Sequence, residues 1–220
     1  MPEKVYIYTF GCQMNKYDSE VMAGLLQNYS LTDKSEESNL ILINTCAVRQ
    51  HAEDKVYSLL GRLIPLKKDN PELKIGICGC LAEQYGEGLL KRFPQLDLVL
   101  GPDHIFKLPN LLDELYRGKR IVLTGHPSEV MGSLPTKRVD KIKAYMPIVL
   151  GCNNRCSYCV VPWTRGSIRS RKPEQILNEL KNLANSGYQE VTLLGQNVND
   201  YGCDFKDSQI DFCKLLIMIN

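Results

Sequence analysis

Short apolar runs alternate with longer stretches of helical period along the first 125 residues. Val5 to Phe10, Leu40 to Asn44, Lys74 to Gly79, Leu96 to Gly101 and Arg120 to Thr124 read as strands. Ser19 to Gln27, Ala52 to Lys68, Ala82 to Phe93 and Leu108 to Arg117 lie between them and read as helices. Strand and helix in strict turn predict an α/β unit: an open parallel sheet flanked by helices. From Gly125 to Tyr145 the chain becomes polar, basic and punctuated ("GHPSEVMGSLPTKRVDKIKAY"), the pattern of a linker or a loosely packed crossing segment.

A second alternation follows. It predicts a strand over Met146 to Leu150, a cysteine-bearing loop, a helix from Pro173 to Ala184, a strand over Glu190 to Leu194 and an apolar run from Ile210 to Ile219. Pro173 suits a first helical position, and Asn185-Ser186-Gly187 supplies a stop. Two strands cannot close a barrel and leave parallel edges bare, so this unit reads as the start of a partial barrel, cut short at Asn220. The expected division is 1–125 for the sheet unit, 126–145 for the linker and 146–220 for the barrel portion.

Composition narrows the class only modestly. With 220 residues, 44% hydrophobic content and net charge +2, the chain reads as a globular protein of one or two domains, and its charge points to no partner. No cationic leader and no run of about 18 apolar residues is present, which predicts a cytosolic protein with no membrane attachment. Nine cysteines would suit a disulfide framework in a small secreted chain; in a cytosolic chain of this size they point to metal or catalysis.

Cys12, Cys46 and Cys80 are spaced 34 residues apart (46 − 12 and 80 − 46), about one strand-helix unit, and each follows a predicted strand. If the strands are parallel, all three thiols emerge at the carboxyl edge of one sheet, where open α/β sheets place ligands. The alternative for each is a small buried hydrophobe; that is the expected role of Cys78, inside its strand.

"GCNNRCSYCVVPWTRG" sets Cys152, Cys156 and Cys159 at C-x3-C-x2-C and then stops supplying ligands. Cys203 lies past a helix and a strand, and His126 falls in the linker. Thiolates are soft ligands for zinc or iron-sulfur clusters, but structural zinc normally takes four protein ligands. A 4Fe-4S cube on three thiolates keeps one iron open to the amino and carboxylate groups of a small molecule, S-adenosylmethionine being the fit. His51, in "VRQHAEDK", is expected at a helix start and not on a metal.

The C-x3-C-x2-C loop after a strand resembles the radical S-adenosylmethionine enzymes, and "TFGCQMN", "NTCAVR" and "CGCLAE" resemble their methylthiotransferase branch. The resemblance spans essentially the whole chain; "TFGCQMNKYDSE", "CVVPWTRG" and "LLGQNVNDYG" are most similar to the tRNA-modifying group that acts on N6-(dimethylallyl)adenosine. It implies a radical-SAM barrel for the second unit. It also implies two 4Fe-4S clusters, one on Cys152, Cys156 and Cys159 and an auxiliary one on Cys12, Cys46 and Cys80. The implied reaction is methylthiolation of adenine carbon 2 at anticodon-loop position 37 of tRNA, with S-adenosylmethionine, a flavodoxin- or ferredoxin-type electron donor and a monomeric enzyme.

By the same resemblance Gly195, Gln196 and Asn197 hold the methionine moiety, with Trp163 and Arg165 also cofactor-binding. Arg165, Arg169, Arg171 and Lys172 are either phosphate contacts for the anticodon loop or a solvated basic loop. Ile168 stands where relatives usually carry an acidic residue. The later barrel strands and the C-terminal RNA-gripping domain of the family are not in these 220 residues, so cluster loading without methylthiolation is expected of the chain alone. Two other enzyme readings remain, a threonylcarbamoyladenosine tRNA or a ribosomal-protein aspartate as substrate; a noncatalytic metal-binding module is the alternative of another class.

Overall fold

All five expected strands of the first unit form in the computed structural model, which describes residues 3–47, 50–127, 132–206 and 210–220, without the side chains of 50–52. They are β1 (Lys4–Thr9), β3 (Leu40–Thr45), β4 (Lys74–Gly79), β5 (Leu98–Leu100) and β6 (Ile121–Leu123); β2, the short Ser30–Leu31 strand, joins at the edge. The sheet has the order β2-β1-β3-β4-β5-β6 and every pairing is parallel. The central strands are buried on both faces, and alternation sorts their side chains between two apolar layers. Leu40 and Leu42 pack with helices α1 (Gln13–Leu25) and α5 (Leu108–Tyr116), while Ile41 and Ile43 pack with α2 (Gln50–Asp69), α3 (Cys80–Tyr85) and α4 (Glu87–Arg92). The expected single helix over Ala82 to Phe93 is thus two, broken at Gly86. His51 falls within the backbone of α2, and its side chain lies outside the described residues.

α1 begins six residues earlier than its apolar period predicts. Its first turns bury Asn15 and Asp18, polar residues that no hydrophobic pattern marks as inward. Helix periodicity fails there because polar side chains fill the core-facing positions.

The second unit contains β7 (Lys143–Pro147), β8 (Val149–Leu150), α6 (Val161–Thr164), β9 (Arg169–Ser170), α7 (Pro173–Asn185), β10 (Glu190–Leu194) and α8 (Phe212–Ile219). The strand expected over Met146 to Leu150 is two pieces: β7 pairs in parallel with β10, and β8 turns away to pair antiparallel with β9. Among the described residues β7 and β10 pair only with each other, so this part is the start of an α/β barrel and not a closed one. Ile217 on α8 is 76% exposed, with Leu216 and Met218 partly so. Among the described residues no helix is long and apolar enough to cross a membrane.

The segment from 132 to 142 is extended and bonded to both units. Lys137 donates its backbone N–H to the Glu20 carbonyl of α1 at 2.9 Å. Arg138 bridges Glu20 at 3.1 Å and Glu179 of α7 at 3.2 Å, and it also donates to the Tyr145 carbonyl. Where the polar pattern suggested loose packing, Arg138 is turned inward and paired, while Lys137, Asp140 and Lys141 stay exposed. A Cβ on Gly24 would stand 2.4 Å from the Pro135 carbonyl oxygen, so α1 needs glycine where the segment crosses it.

Replacing a helical glycine by alanine ordinarily stabilises a helix by about 1 kcal/mol. Gly24→Ala is expected to do the reverse, costing about 1–3 kcal/mol in urea denaturation because the crossing segment is pushed off α1. A gain in stability would contradict this packing.

Candidate functional site

Three parallel strands deliver three thiols to one edge. Cys12 follows β1 and precedes α1, Cys46 follows β3, and Cys80 opens α3 directly after β4. The Cys46 thiol hydrogen-bonds to both Cys12 and Cys80. Cys46 and Cys80 are buried and Cys12 is open. The Cys46 hydrogen bond, joined by backbone hydrogen bonds at Asn15 and Met14 and by the charge of Arg165, pulls Cys12 down to about 5 against the opposing effect of burial. Cys80 is likewise held well below the usual thiol range by Cys46 and then by Arg165. Among the described residues no three His, Cys, Asp or Glu side chains are arranged to hold a single metal ion.

Buried asparagines fix this cluster. Asn15 Oδ1 accepts the Cys12 backbone N–H at 3.2 Å and its thiol at 3.4 Å, a reverse cap on the first turn of α1. Asn15 donates to Asn44 Oδ1 at 3.1 Å, and Asn44 donates back to the Asn15 carbonyl at 2.7 Å. The "QMN" of α1 and the "INT" of β3 are thereby locked together. Gly11, at φ 134°, makes the approach possible, since a Cβ there would lie 2.7 Å from Cys46 Cβ. Cys78 is sealed inside β4, as its strand position predicts, and burial followed by the charge of Asp18 pushes its thiol up to about 12.

The second trio sits on the irregular loop between β8 and α6. Cys152 is buried, Cys159 half-buried and Cys156 open. The Cys152 N–H donates to the Gly166 carbonyl at 3.1 Å, and the Cys159 N–H to the Cys156 carbonyl at 3.0 Å. Gly195, Gln196 and Asn197 form the turn at the end of β10, and Gln196 Oε1 accepts the Gly151 N–H at 2.6 Å, beside Cys152. Asn197 donates to Asp200 at 2.7 Å, and Asp200 accepts from Asn154 of the cysteine loop at 3.4 Å. The structure thus joins the predicted cofactor turn to the predicted cluster loop. Cys203, set aside by sequence distance, is exposed, and burial followed by the charges of Asp204 and Asp200 raises its thiol. Ile168, where the resemblance led to an acidic residue being expected, is buried in the apolar core of this unit.

The Arg165 side chain reaches the first trio although its neighbour Gly166 is bonded to Cys152 of the second. The short helix α6 turns it to the first one, where it is 5% exposed, donates from Nη2 to Asp18 at 2.6 Å and from Nε to the Cys80 thiol at 3.2 Å. Arg169 pairs with Asp103 at 2.8 Å and Arg171 with Glu179 at 2.7 Å. Of the four basic residues read as phosphate contacts, three are therefore held inward by carboxylates and Lys172 alone is exposed. Trp163 is 74% exposed, and its carbonyl meets His126 Nε2 at 2.9 Å while His126 Nδ1 meets Asp103 at 2.8 Å. Sequence reasoning missed Asn15, Asp18, Asn44 and Asp103; the one available signal was that these polar residues flank the cysteine motifs or fall within helical segments.

Residues 4–101 match the model of the uncharacterized protein family UPF0004, and residues 146–219 match the radical SAM superfamily. A tRNA-2-methylthio-N(6)-dimethylallyladenosine synthase of Bacillus licheniformis is 48% identical over 212 residues, covering 94% of this chain and 42% of the relative. The synthases of that name from Geobacillus kaustophilus and Bacillus subtilis are 49% and 47% identical. The chain belongs to the radical S-adenosylmethionine methylthiotransferase family. It spans about two fifths of the length of the curated relatives it matches. The fold agrees with solved radical S-adenosylmethionine methyltransferases: TsrM of Kitasatospora setae superposes with TM-score 0.58 at 13% identity, covering 90% of this chain and 48% of that one. A second TsrM structure, with cobalamin and a [4Fe-4S] cluster bound, gives TM-score 0.57 at 14% identity, over 90% of this chain and 50% of that one. The cofactors of the family are 4Fe-4S clusters and S-adenosylmethionine. Both trios fit the first by donor chemistry, being sets of three soft sulfur ligands, and Cys12 and Cys80 are already biased to thiolate.

Two thiols two residues apart in sequence differ in opposite senses from the usual value near 9. For Cys78 the folded value is raised, so its contribution to stability is present below about 9 and lost as pH rises toward about 12. For Cys12 the folded value is depressed, so its contribution in the metal-free chain is present above about 9 and lost as pH falls through about 5. Iodoacetamide is expected to modify Cys12 with a pH–rate profile centred near 5, and at neutral pH to leave Cys78 untouched until the chain unfolds. A Cys12 profile centred near 9 in peptide mass mapping would contradict the thiol network.

Proposed function

We propose that the chain carries the two cluster sites of a tRNA methylthiotransferase acting on carbon 2 of N6-(dimethylallyl)adenosine at anticodon-loop position 37. One observation supports this above all: Cys12, Cys46 and Cys80, from three strand ends, meet at one sheet edge beside an arginine that follows the C-x3-C-x2-C loop by six residues. A zinc module has no use for two sets of three thiols joined in this way.

In this reading residues 1–125 form the auxiliary-cluster unit, 126–145 the linker and 146–220 the beginning of the radical-SAM barrel. Cys152, Cys156 and Cys159 would hold the cluster whose open iron takes S-adenosylmethionine, and Cys12, Cys46 and Cys80 the auxiliary one. When bound, these groups supply one-electron cleavage of the sulfonium, hydrogen abstraction and sulfur for transfer. The chain's own residues orient and enclose. The Gly195-Gln196-Asn197 turn, tied to Gly151, places backbone polar groups beside the cysteine loop for the methionine moiety. Trp163 offers an open aromatic face on which an unpaired base stacks, a common mode of single-stranded RNA recognition. The enzyme would act as a cytoplasmic monomer, reduced by a flavodoxin- or ferredoxin-type donor.

Anaerobic reconstitution tests the reading. About eight irons and eight sulfides per chain are expected. Cys156→Ser should lose half the iron and all cleavage of S-adenosylmethionine, whereas Cys46→Ser should lose half the iron and keep cleavage. Mass spectrometry of tRNA nucleosides from a strain lacking the gene should show loss of the 2-methylthio mark on dimethylallyladenosine alone. Bound zinc without cleavage, or loss of the mark from threonylcarbamoyladenosine instead, would overturn it.

A further inference from the structure

We propose that Arg165 is a positioning residue for the group held by Cys12, Cys46 and Cys80, acting through its Nε–H hydrogen bond to Cys80 Sγ, and that it ties that group to the loop of Cys152, Cys156 and Cys159. The inference rests on the reading that the N-terminal trio holds an iron-sulfur cluster. Resemblance placed Arg165 at the cofactor of its own unit; the geometry places it 85 residues away in sequence, against the other trio.

Two nitrogens of the guanidinium fork have defined partners. Nη2 is fixed by Asp18 of α1 at 2.6 Å, which aims Nε at the sulfur at 3.2 Å. The backbone is held as well: the Arg165 N–H donates to the Val161 carbonyl at 2.8 Å, and its carbonyl accepts from Arg169 at 2.8 Å. Arg169 is in turn fixed by Asp103. Burial removes the screening that water would provide, so one cation and one N–H···S bond act on the sulfur at close range. Hydrogen bonds to cluster sulfurs and nearby positive charge stabilise the reduced, more negative state and raise the reduction potential. A lysine would keep the charge and lose the directed Nε–H, because its ammonium is a point charge without the fork.

The test is a spectroscopic redox titration of the reconstituted chain. In a background with alanine at Cys152, Cys156 and Cys159, only the N-terminal cluster is present. There Arg165→Gln is expected to shift its midpoint potential downward, and Arg165→Lys to shift it downward by less. In the converse background, with alanine at Cys12, Cys46 and Cys80, neither substitution should move the potential of the remaining cluster. Unmoved potentials in both backgrounds, or equal shifts in both, would overturn the proposal, the latter marking Arg165 as a general interface pair. If Arg165→Gln fails to fold, the lysine variant decides alone by the same two outcomes. Should the unsubstituted chain bind no cluster at Cys12, Cys46 and Cys80, iron content would already show that the functional reading has failed, independently of Arg165.

Discussion

A buried ion pair sits at the junction of the two halves of this molecule: Arg165 of the second unit against Asp18 of the first, 2.6 Å apart and both nearly sealed from water. Such a pair is a poor source of stability, because the desolvation of two charges roughly offsets their attraction; removing one partner, however, strands the other at a cost of about 3–5 kcal/mol. Its value is geometric. Burial alone would push Asp18 toward its neutral form, and the Arg165 charge and hydrogen bond oppose that; Arg165 in turn is held charged by Asp18 and Cys80. The pair persists only while both units are docked, so docking and the electrostatic setting of Cys80 are one event.

The same economy governs the other interface charges. Glu20, Arg138, Glu179 and Arg171 form a continuous chain from α1 through the crossing segment to α7 and β9. Asp103 takes both Arg169 and His126. Arg138, in a polar and basic stretch of sequence, is turned inward because the carboxylates that neutralise it arrive from two helices, 118 residues back at Glu20 and 41 residues on at Glu179. With three arginines committed to carboxylates, Lys172 and Trp163 are left exposed.

This explains what could be read from the chain and what could not. The strands were legible because runs such as "LILINT" and "KIGICG" bury both faces and are bounded by turn residues. Once the strands are parallel, the thiols at their ends must share an edge, so the three cysteines were legible too. The start of α1 was not, since Asn15 and Asp18 break the apolar period for the sake of Cys12 and Arg165. Arg165 was legible as a site residue but not as to which site, because its direction depends on the four-residue helix α6, which is too short to leave a periodic signature. The Asn15–Asn44 pair was invisible because its two amides come from elements 29 residues apart and meet only once the sheet and α1 are packed.

The length of α6 is therefore a constraint on the whole site. Cys159 and Arg165 are six residues apart, and the intervening turn is closed by Thr164 Oγ1 on the Val160 carbonyl at 3.2 Å and by the Arg165 N–H on Val161. A residue added or removed there would rotate Arg165 by roughly 100° about the helix axis and break both its bond to Asp18 and its bond to Cys80. A longer flexible loop would keep the same residues but lose the fixed offset between the two thiol trios. The tight "CVVPWTRG" spacing thus follows from having one end anchored in a cysteine loop and the other in a charge pair of a different unit, with Pro162 in the first turn and no glycine between Cys159 and Arg165 to let the connection relax.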